Sequence, residues 1–493
     1  MRQDGRGTRE GPVLIILTNL FNLLVNFMIG LIVASFLGPE SFGRFAVAIG
    51  AGGLVQLALF GWLRLAAARF YSETVRVTRP EWRASLDRAL WVLSGFVTLV
   101  GLAGAAMAQT LDATPALVFW ALAFAAANGA FEYRLALLRA RFHDKGYAGL
   151  ILVKNALSLA LTAGLAWWTG SAAVTLAGTS LSLGLSALLL GRVLHDPQVG
   201  QTRPRAAVLR ESLAYGLPLS ASLLLFAMIP LANRALGAQA SGFADAGHLS
   251  LAQDIGLRLV MTIGFAMDQL LFQLAVRADE HQGETQGRMQ IAQNMTVMAA
   301  ILLPALAGVW LVLPSFEALI VPTDFRGAFS SALSLLLPGL AAYGLMTFAL
   351  APAFQIARRT WPVIAAAAVA CVTDAVLLFL PPRDWSLDRL ALAQTGALVA
   401  GFVTLVALLP LAKPHWPRLR DMIGILTATL AMIGAVAPLR AAMEPGVTAL
   451  LTQTLAGAAV YGALALAFDM AGLRTAHLSR WSGQQKRAAR RRP

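Results

Sequence analysis

Charge is scarce in this chain. Only 13% of its 493 residues are Asp, Glu, Lys or Arg, while 58% are hydrophobic; a soluble domain is roughly a quarter charged. A soluble protein of this length would form about three domains, each with a polar exterior, and there are too few polar residues to cover them. Cysteine is nearly absent as well: Cys371 stands alone, so a disulfide within the chain is excluded and the redox compartment is left open. The six histidines (His143, His195, His248, His281, His415 and His477) lie scattered near the ends of apolar runs, which argues against a metal centre. Also missing are a Gly-rich phosphate loop ending in Gly-Lys-Ser/Thr, a His-Glu-x-x-His motif and an Asp-x-Asp pair for a nucleotide-sugar metal. The longest interval between apolar runs, 194–211, is too short for a catalytic domain. The expectation is a protein that is not an enzyme, with no catalytic residues, no metal and no cofactor.

What the chain has instead is apolar sequence in lengths of about 20 residues, which is what a helix needs to cross a hydrocarbon layer of about 30 Å. Such runs lie at 13–36, 45–66, 89–109, 116–138, 147–168, 172–193, 212–232, 247–273, 290–313, 328–350, 361–380, 390–411, 422–439 and 447–470. Barrel strands would alternate apolar and polar residues over about ten positions, and these runs do not. The sequence reads as an all-α polytopic membrane protein with about fourteen transmembrane helices. The first run is not a cleaved signal peptide: it carries Asn19, Asn22 and Asn26, exceeds a signal core, and has no small-residue cleavage site after it.

Assigning loops alternately to the two sides puts thirty of the 39 Lys and Arg on the side of the N-terminus and six on the other, with Arg64, Lys154 and Arg258 inside spans. Cytoplasmic loops are enriched in Lys and Arg, so both termini are expected in the cytoplasm and the number of spans is expected to be even. The net charge of +14 and the tail "KRAARRRP" (486–493) then serve topology and contact with anionic lipid, and no nucleic-acid partner is expected. Trp82, in "SETVRVTRPEWRASLDR" (72–88), reads as an interfacial anchor.

Between the first two spans stands "LGPESFG" (37–43), and after the seventh stands "LGAQASG" (236–242), with the same glycine spacing. Gly38, Pro39 and Gly43, with Gly237 and Gly242 in the second copy, suit a tight outside turn between adjacent helices, glycine supplying positive φ or close contact and proline a preset φ. The chain therefore divides into an N-terminal six-helix half (1–210), a C-terminal six-helix half (211–412), two appended helices (413–473) and a basic cytoplasmic tail (474–493). Repeated halves of this kind belong to secondary transporters with a central site.

The stretch "ASFLGPESFGRFAVA" (34–48), continued by "FGWLRLAAARF" (60–70) with Gly61 and Arg69 and echoed by "RALGAQASGFADA" (234–246), resembles the bacterial polysaccharide biosynthesis proteins. These are the lipid-linked oligosaccharide (O-antigen-type) flippases of the multidrug/oligosaccharidyl-lipid/polysaccharide exporter superfamily. Asn233 stands where the family pattern would have an acidic residue. The resemblance implies a flippase in the bacterial inner membrane. It would move a polyprenyl-diphosphate-linked oligosaccharide by alternating access through a central polar cavity, for surface polysaccharide biosynthesis. It also implies membrane lipid as surroundings, other polysaccharide-assembly proteins as possible partners, and a monomer.

Charge at the centre of a membrane helix costs about 2.5–3.5 kcal/mol, so a charge deep in a span should face protein or water. In the eighth span Ser250, Asp254, Arg258 and Asp268 form a polar seam, with Asp254 and Arg258 spaced i,i+4. The seam is either a structural ion pair or a cavity wall where Arg258 binds phosphate and a carboxylate takes up H+ or Na+. Asn19, Asn22 and Asn26 share a face of the first span, for interhelical hydrogen bonds or for sugar hydroxyls. Arg64 and Lys154 are candidates for an anionic head group, while Arg69 and the pair Glu132 and Arg134 lie nearer the interface. Asp374 is a lone intramembrane carboxylate, coupling or structural. An ion-coupled multidrug or small-molecule antiporter of the same superfamily is the alternative reading, and a membrane polysaccharide polymerase a more distant one.

Overall fold

The computed structural model describes residues 10–108, 114–189, 191–357, 359–381, 385–413 and 415–470, and all regular structure among them is helical. Thirteen helices among the described residues are long and apolar enough to cross a membrane. They are α1 (Glu10–Phe70), α2 (Glu81–Ala108), α3 (Pro115–Ala140), α4 (Asp144–Thr169), α5 (Ala172–Leu189), α6 (Ala206–Ala240), α7 (Phe243–Gln282), α8 (Glu284–Ile320), α9 (Ala328–Ile356), α10 (Trp361–Phe379), α11 (Leu387–Leu408), α12 (Leu419–Ala442) and α13 (Val447–Ala467). The protein is a multi-pass membrane protein. At 1.5 Å per residue, the 61 residues of α1 would extend about 90 Å if straight, three times the hydrocarbon layer. The helix is interrupted at one residue, Gly38, with φ 66° and ψ 172°. The loop expected over 37–44 is thus a single-residue break, and Pro39 opens the second arm, where its missing N–H costs no hydrogen bond. Counting the arms of α1 separately restores fourteen crossings.

Packing gathers the chain into two compact units: residues up to Ile255 with Ala370–Gln394, and Gly256–Val369 with the chain from Thr395 onward. In the first unit, Asn19 and Asn26 of the first arm meet Tyr147 and Lys154 of α4, so that arm runs parallel to α4. Gly52 and Phe60 of the second arm meet Ala121 and Gly129 of α3, parallel again. Because α3 and α4 are successive crossings of opposite sense, the two arms of α1 are antiparallel, as a turn at Gly38 requires.

The break between α6 and α7 falls at Gly242 (φ 100°), while Gly237 lies inside α6 with its Cα face against Leu390. The contacts accordingly pair Gly38 with Gly242 and Gly43 with Gly247, not Gly38 with Gly237 and Gly43 with Gly242. A Cβ on Gly43 would collide with the Phe243 carbonyl and lie 2.9 Å from the Gly247 nitrogen; one on Gly247 would collide with the Pro39 carbonyl and lie 3.2 Å from the Gly43 nitrogen. The same separation in sequence relates Gly52 to Gly256 and Phe60 to Gly264, whose partners on α3 and α9 are related by a second, longer separation. Gly52 packs on Ala121 of α3 and Gly256 on Leu340 of α9, while Phe60 fills the space over Gly129 and Phe348 of α9 fills the space over Gly264. In the last pair bulky and small residues have changed sides, so the interface volume is kept though the residues are not.

In the second unit, Pro304 and Pro314 interrupt α8, and each leaves the carbonyl four residues earlier without its helical partner. Both carbonyls are served from outside the helix. Tyr461 of α13 donates its hydroxyl to the Ala300 oxygen (2.7 Å), and Arg440 of α12 donates to the Trp310 oxygen (2.9 Å) with its guanidinium 4.2 Å from the Trp310 ring centroid. Ile425, Ala428 and Met470 close the apolar contact with Ala299.

The expected anchor Trp82 is 2% exposed and packs at a tilt of 34° against Phe70, whose ring also meets Tyr215 edge-on. Its neighbours, counted as topology signals, are ion-paired: Arg141 and Arg76 to Asp196, Arg83 to Asp87, and Arg205 to Glu81. Tyr133 also donates to Asp87 at 2.8 Å, so this belt ties the ends of α2 and α3 to the 191–205 segment. Arg2, Arg6, Arg9 and the basic tail lie outside the described residues.

Loss of the Tyr461 hydroxyl in Tyr461→Phe is expected to lower stability by about 1 kcal/mol. In a Pro304→Ala background, where an N–H at position 304 again serves the Ala300 carbonyl, the loss should shrink; thermal unfolding of the four proteins of this cycle in detergent measures it.

Candidate functional site

Two clusters of buried polar side chains lie within the first unit. In the first, the Lys154 ammonium donates to Asn26 Oδ1 (2.8 Å) and to Asn22 Oδ1 (3.3 Å). Asn26 in turn donates through Nδ2 to the Asn22 side chain (2.8 Å) and backbone carbonyl (2.6 Å). Lys154 is 8% exposed, and beside it Asn155, 3% exposed, has both amide atoms buried without a hydrogen-bond partner. Two turns nearer the α4 N-terminus, Tyr147 donates its hydroxyl to Asn19 Oδ1 (2.7 Å). All three asparagines that shared a face in the sequence therefore point at α4.

The local backbone explains how α4 presents these groups. It begins at His143, whose Nδ1 accepts from the Gly146 amide (2.9 Å) as an N-cap, and it ends at Gly170 in the left-handed region. Directly after Lys154 and Asn155 the helix widens into a π turn over Ser158–Ala163, a distortion often found at functional sites. There Ser158 bonds Ser182 of α5 (3.0 Å), and a buried Thr162 hydroxyl has no partner.

In the second cluster the Asp374 carboxylate of α10, 3% exposed, accepts from Asn233 Nδ2 of α6 at 3.0 Å on each oxygen. Asn233 also donates to the Ile229 carbonyl (2.9 Å), and its buried Oδ1 has no hydrogen-bond partner. Asn233 thus stands at the expected acidic position, but the carboxylate there arrives from another helix. The adjacent Arg234, just past the apolar run 212–232, lies within α6, 7% exposed, donating to Gln253 Oε1 (2.9 Å) and pairing with Asp254. Asp254 is therefore recorded in an ion pair with α6, in place of the i,i+4 pair expected with Arg258.

Arg64 and Glu132 form a partly exposed pair (3.7 Å) between the second arm of α1 and α3, and Arg69 is exposed. Arg258 is half-buried in the second unit, and Ser250 bonds its own helix at the Ala246 carbonyl. Asp268 falls one residue past the apolar window Phe243–Met267, and its side chain lies outside the described residues. Tyr147, Arg234 and Gln253 are members of the clusters that residue type and span position had not singled out. The place of Arg234 next to Asn233 was the available signal.

No protein-family model matches the sequence, and no curated protein matches it. Solved structures do match the fold. Lipid II flippase MurJ in an inward closed conformation aligns with TM-score 0.67 over 93% of this chain and 99% of that one, at 13% identity. A multidrug resistance MATE family transporter of the MOP superfamily aligns in its inward-facing conformation with TM-score 0.62, over 80% of this chain and 95% of that one, at 16% identity. The outward-facing conformation gives TM-score 0.54 over 82% and 96%, at 14% identity. At these identities the likeness establishes the fold alone, which this chain shares with the flippase and the MATE transporter.

Asn26→Leu removes one acceptor of a buried ammonium, and a loss of about 1–3 kcal/mol is expected. Lys154→Met in the same background should recover much of that loss, because the charge leaves with its partner; chemical denaturation of the two proteins against wild type provides the comparison.

Proposed function

We propose that this protein is a transporter of an anionic, lipid-anchored saccharide, of the polyprenyl-diphosphate-linked oligosaccharide class, across the bacterial inner membrane for surface polysaccharide biosynthesis. The observation that carries the reading is the buried Lys154 ammonium set among asparagine amides. An ammonium buried among amide oxygens can exchange these neutral acceptors for phosphate oxygens, with which its hydrogen bonds become stronger because both partners are charged. Asparagine side chains and Tyr147 offer donors and acceptors of the kind sugar hydroxyls require. The likeness in fold to a lipid II flippase supports the same class of cargo.

In this reading the diphosphate engages Lys154 while the isoprenoid chain stays in lipid. Arg64 and Arg258 serve as further cationic contacts along the path, and Asn19, Asn22 and Asn26 hold the sugar. Alternating access exposes the head group to one side at a time, and a difference in affinity between the two states is what a bound ion must supply. Asp374 carries that coupling by exchanging H+ or Na+, with Asn233 releasing and recovering its carboxylate; Asp254 and Asp268 are the other carboxylates available to it. The transporter acts as a monomer with both termini in the cytoplasm and delivers cargo to other polysaccharide-assembly proteins.

A second reading is an ion-coupled antiporter of small molecules, and the buried Asp374–Asn233 pair favours it, because a carboxylate held by a neutral amide suits exchange of a cation. Deletion of the gene separates the two. For the flippase, lipid-linked oligosaccharide should accumulate in the cytoplasmic leaflet and surface polysaccharide should be lost; intact polysaccharide with raised sensitivity to cationic drugs supports the antiporter. Within the flippase reading, Lys154→Gln should abolish export while membrane levels of the protein hold. Asp374→Asn should instead leave cargo binding in place and remove the dependence of export on the ion gradient.

A further inference from the structure

The second unit holds a cavity of about 580 Å³ that the transport reading does not use. One wall is the face of α8 made by Met289, Ala292, Gln293 and Thr296, and the other is the segment His415–Arg418 that leads into α12, with Asp421 on the first turn of that helix and Asp469 just past the end of α13. The start of α12 and the end of α13 are on the same side of the membrane, since these are successive crossings. The cavity is therefore at the level of lipid head groups, and the exposed Trp416 is the interfacial residue type found there.

The chemistry of the lining is of both signs. Arg418 and His415 stand on the segment before α12, and the carboxylates of Asp421 and Asp469 complete the same cavity. A purely anionic head group would meet two carboxylates, and a purely cationic one would meet the guanidinium. A zwitterion with phosphate and a primary ammonium a few bonds apart satisfies both. From the mouth of the cavity an exposed apolar line continues along α12 through Leu419, Ile423, Leu426 and Leu430, at the i,i+4,i+7,i+11 spacing of one helix face, and provides a track for acyl chains.

We propose that this cavity binds an aminophospholipid of the phosphatidylethanolamine type, its phosphate on Arg418 and its ammonium between Asp421 and Asp469. The site is independent of Lys154 and Asp374 and does not require the transported cargo to be a saccharide.

The test uses the full-length protein purified in detergent, with lipid retention read by native mass spectrometry and thermal unfolding read in parallel. Phosphatidylethanolamine should be retained over phosphatidylglycerol by about threefold, the size expected of a partly exposed ion pair. It should also be retained over phosphatidylcholine, whose quaternary nitrogen has no N–H to donate. Asp421→Asn should erase the preference over phosphatidylglycerol, and Arg418→Gln should weaken retention of all three lipids. Equal retention of the three by wild type overturns the assignment, as does an unchanged preference in Asp421→Asn. Should that variant fail to fold, the wild-type lipid comparison still decides. Soluble glycerophosphoethanolamine should not raise the unfolding temperature; if it does so as well as the lipid, the ligand is a soluble zwitterion and the lipid assignment falls.

Discussion

In hydrocarbon a peptide group that loses its helical partner has no water to turn to, and the cost must be met by another part of the protein. Much of the architecture follows from that constraint. Pro304 and Pro314 each free a carbonyl of α8, and the groups that answer, Tyr461 and Arg440, belong to the last two helices. These helices are thereby held to α8 by polar bonds that apolar packing alone would not orient. In α9 Thr395 of α11 donates to the Leu335 carbonyl at 2.6 Å, one residue beyond the carbonyl that Pro338 frees. The break at Gly38 obeys the same rule with the least possible departure, one residue out of helical geometry.

The plan of crossings was legible in the sequence because lipid demands long apolar runs, and length alone reports them. The place of each break was harder. In α1, Gly-Pro marked it correctly, but in the second copy two glycines were available, Gly237 and Gly242, and local sequence cannot say which takes positive φ and which takes a neighbouring helix. That choice is made by contacts between distant segments. The exchange of Phe60 over Gly129 for Gly264 under Phe348 hid the repeat further, since the conserved quantity is the volume of the pair.

For the polar clusters, the sequence revealed what one helix carries and not what faces it. Asn19, Asn22 and Asn26 share a face by spacing, and Lys154 was visible as a charge in a span, so both halves of the first cluster could be named although their junction could not. Asp254 shows the limit. Its i,i+4 neighbour Arg258 was the natural partner on one helix, yet Arg234 of α6 takes the carboxylate. Arg234 looked like a loop residue only because the end of α6 was drawn too early. Likewise the basic residues near Trp82 counted as topology signals, whereas Asp87, one turn from Arg83, and Asp196 and Glu81, distant in the chain from Arg141 and Arg205, turn them into an ion-paired belt.

The reciprocal contact of Gly43 with Gly247 resembles the centre of an isologous dimer, where a surface touches its own equivalent across a two-fold axis. In a dimer of identical chains a single substitution at such a point appears on both sides at once. Here the two copies are written separately in one chain, so each can change alone. Even so, a methyl group at either position would meet backbone, which cannot turn aside as a side chain can. At this contact the space between the two backbones sets the residue on both sides, whatever the surrounding sequence.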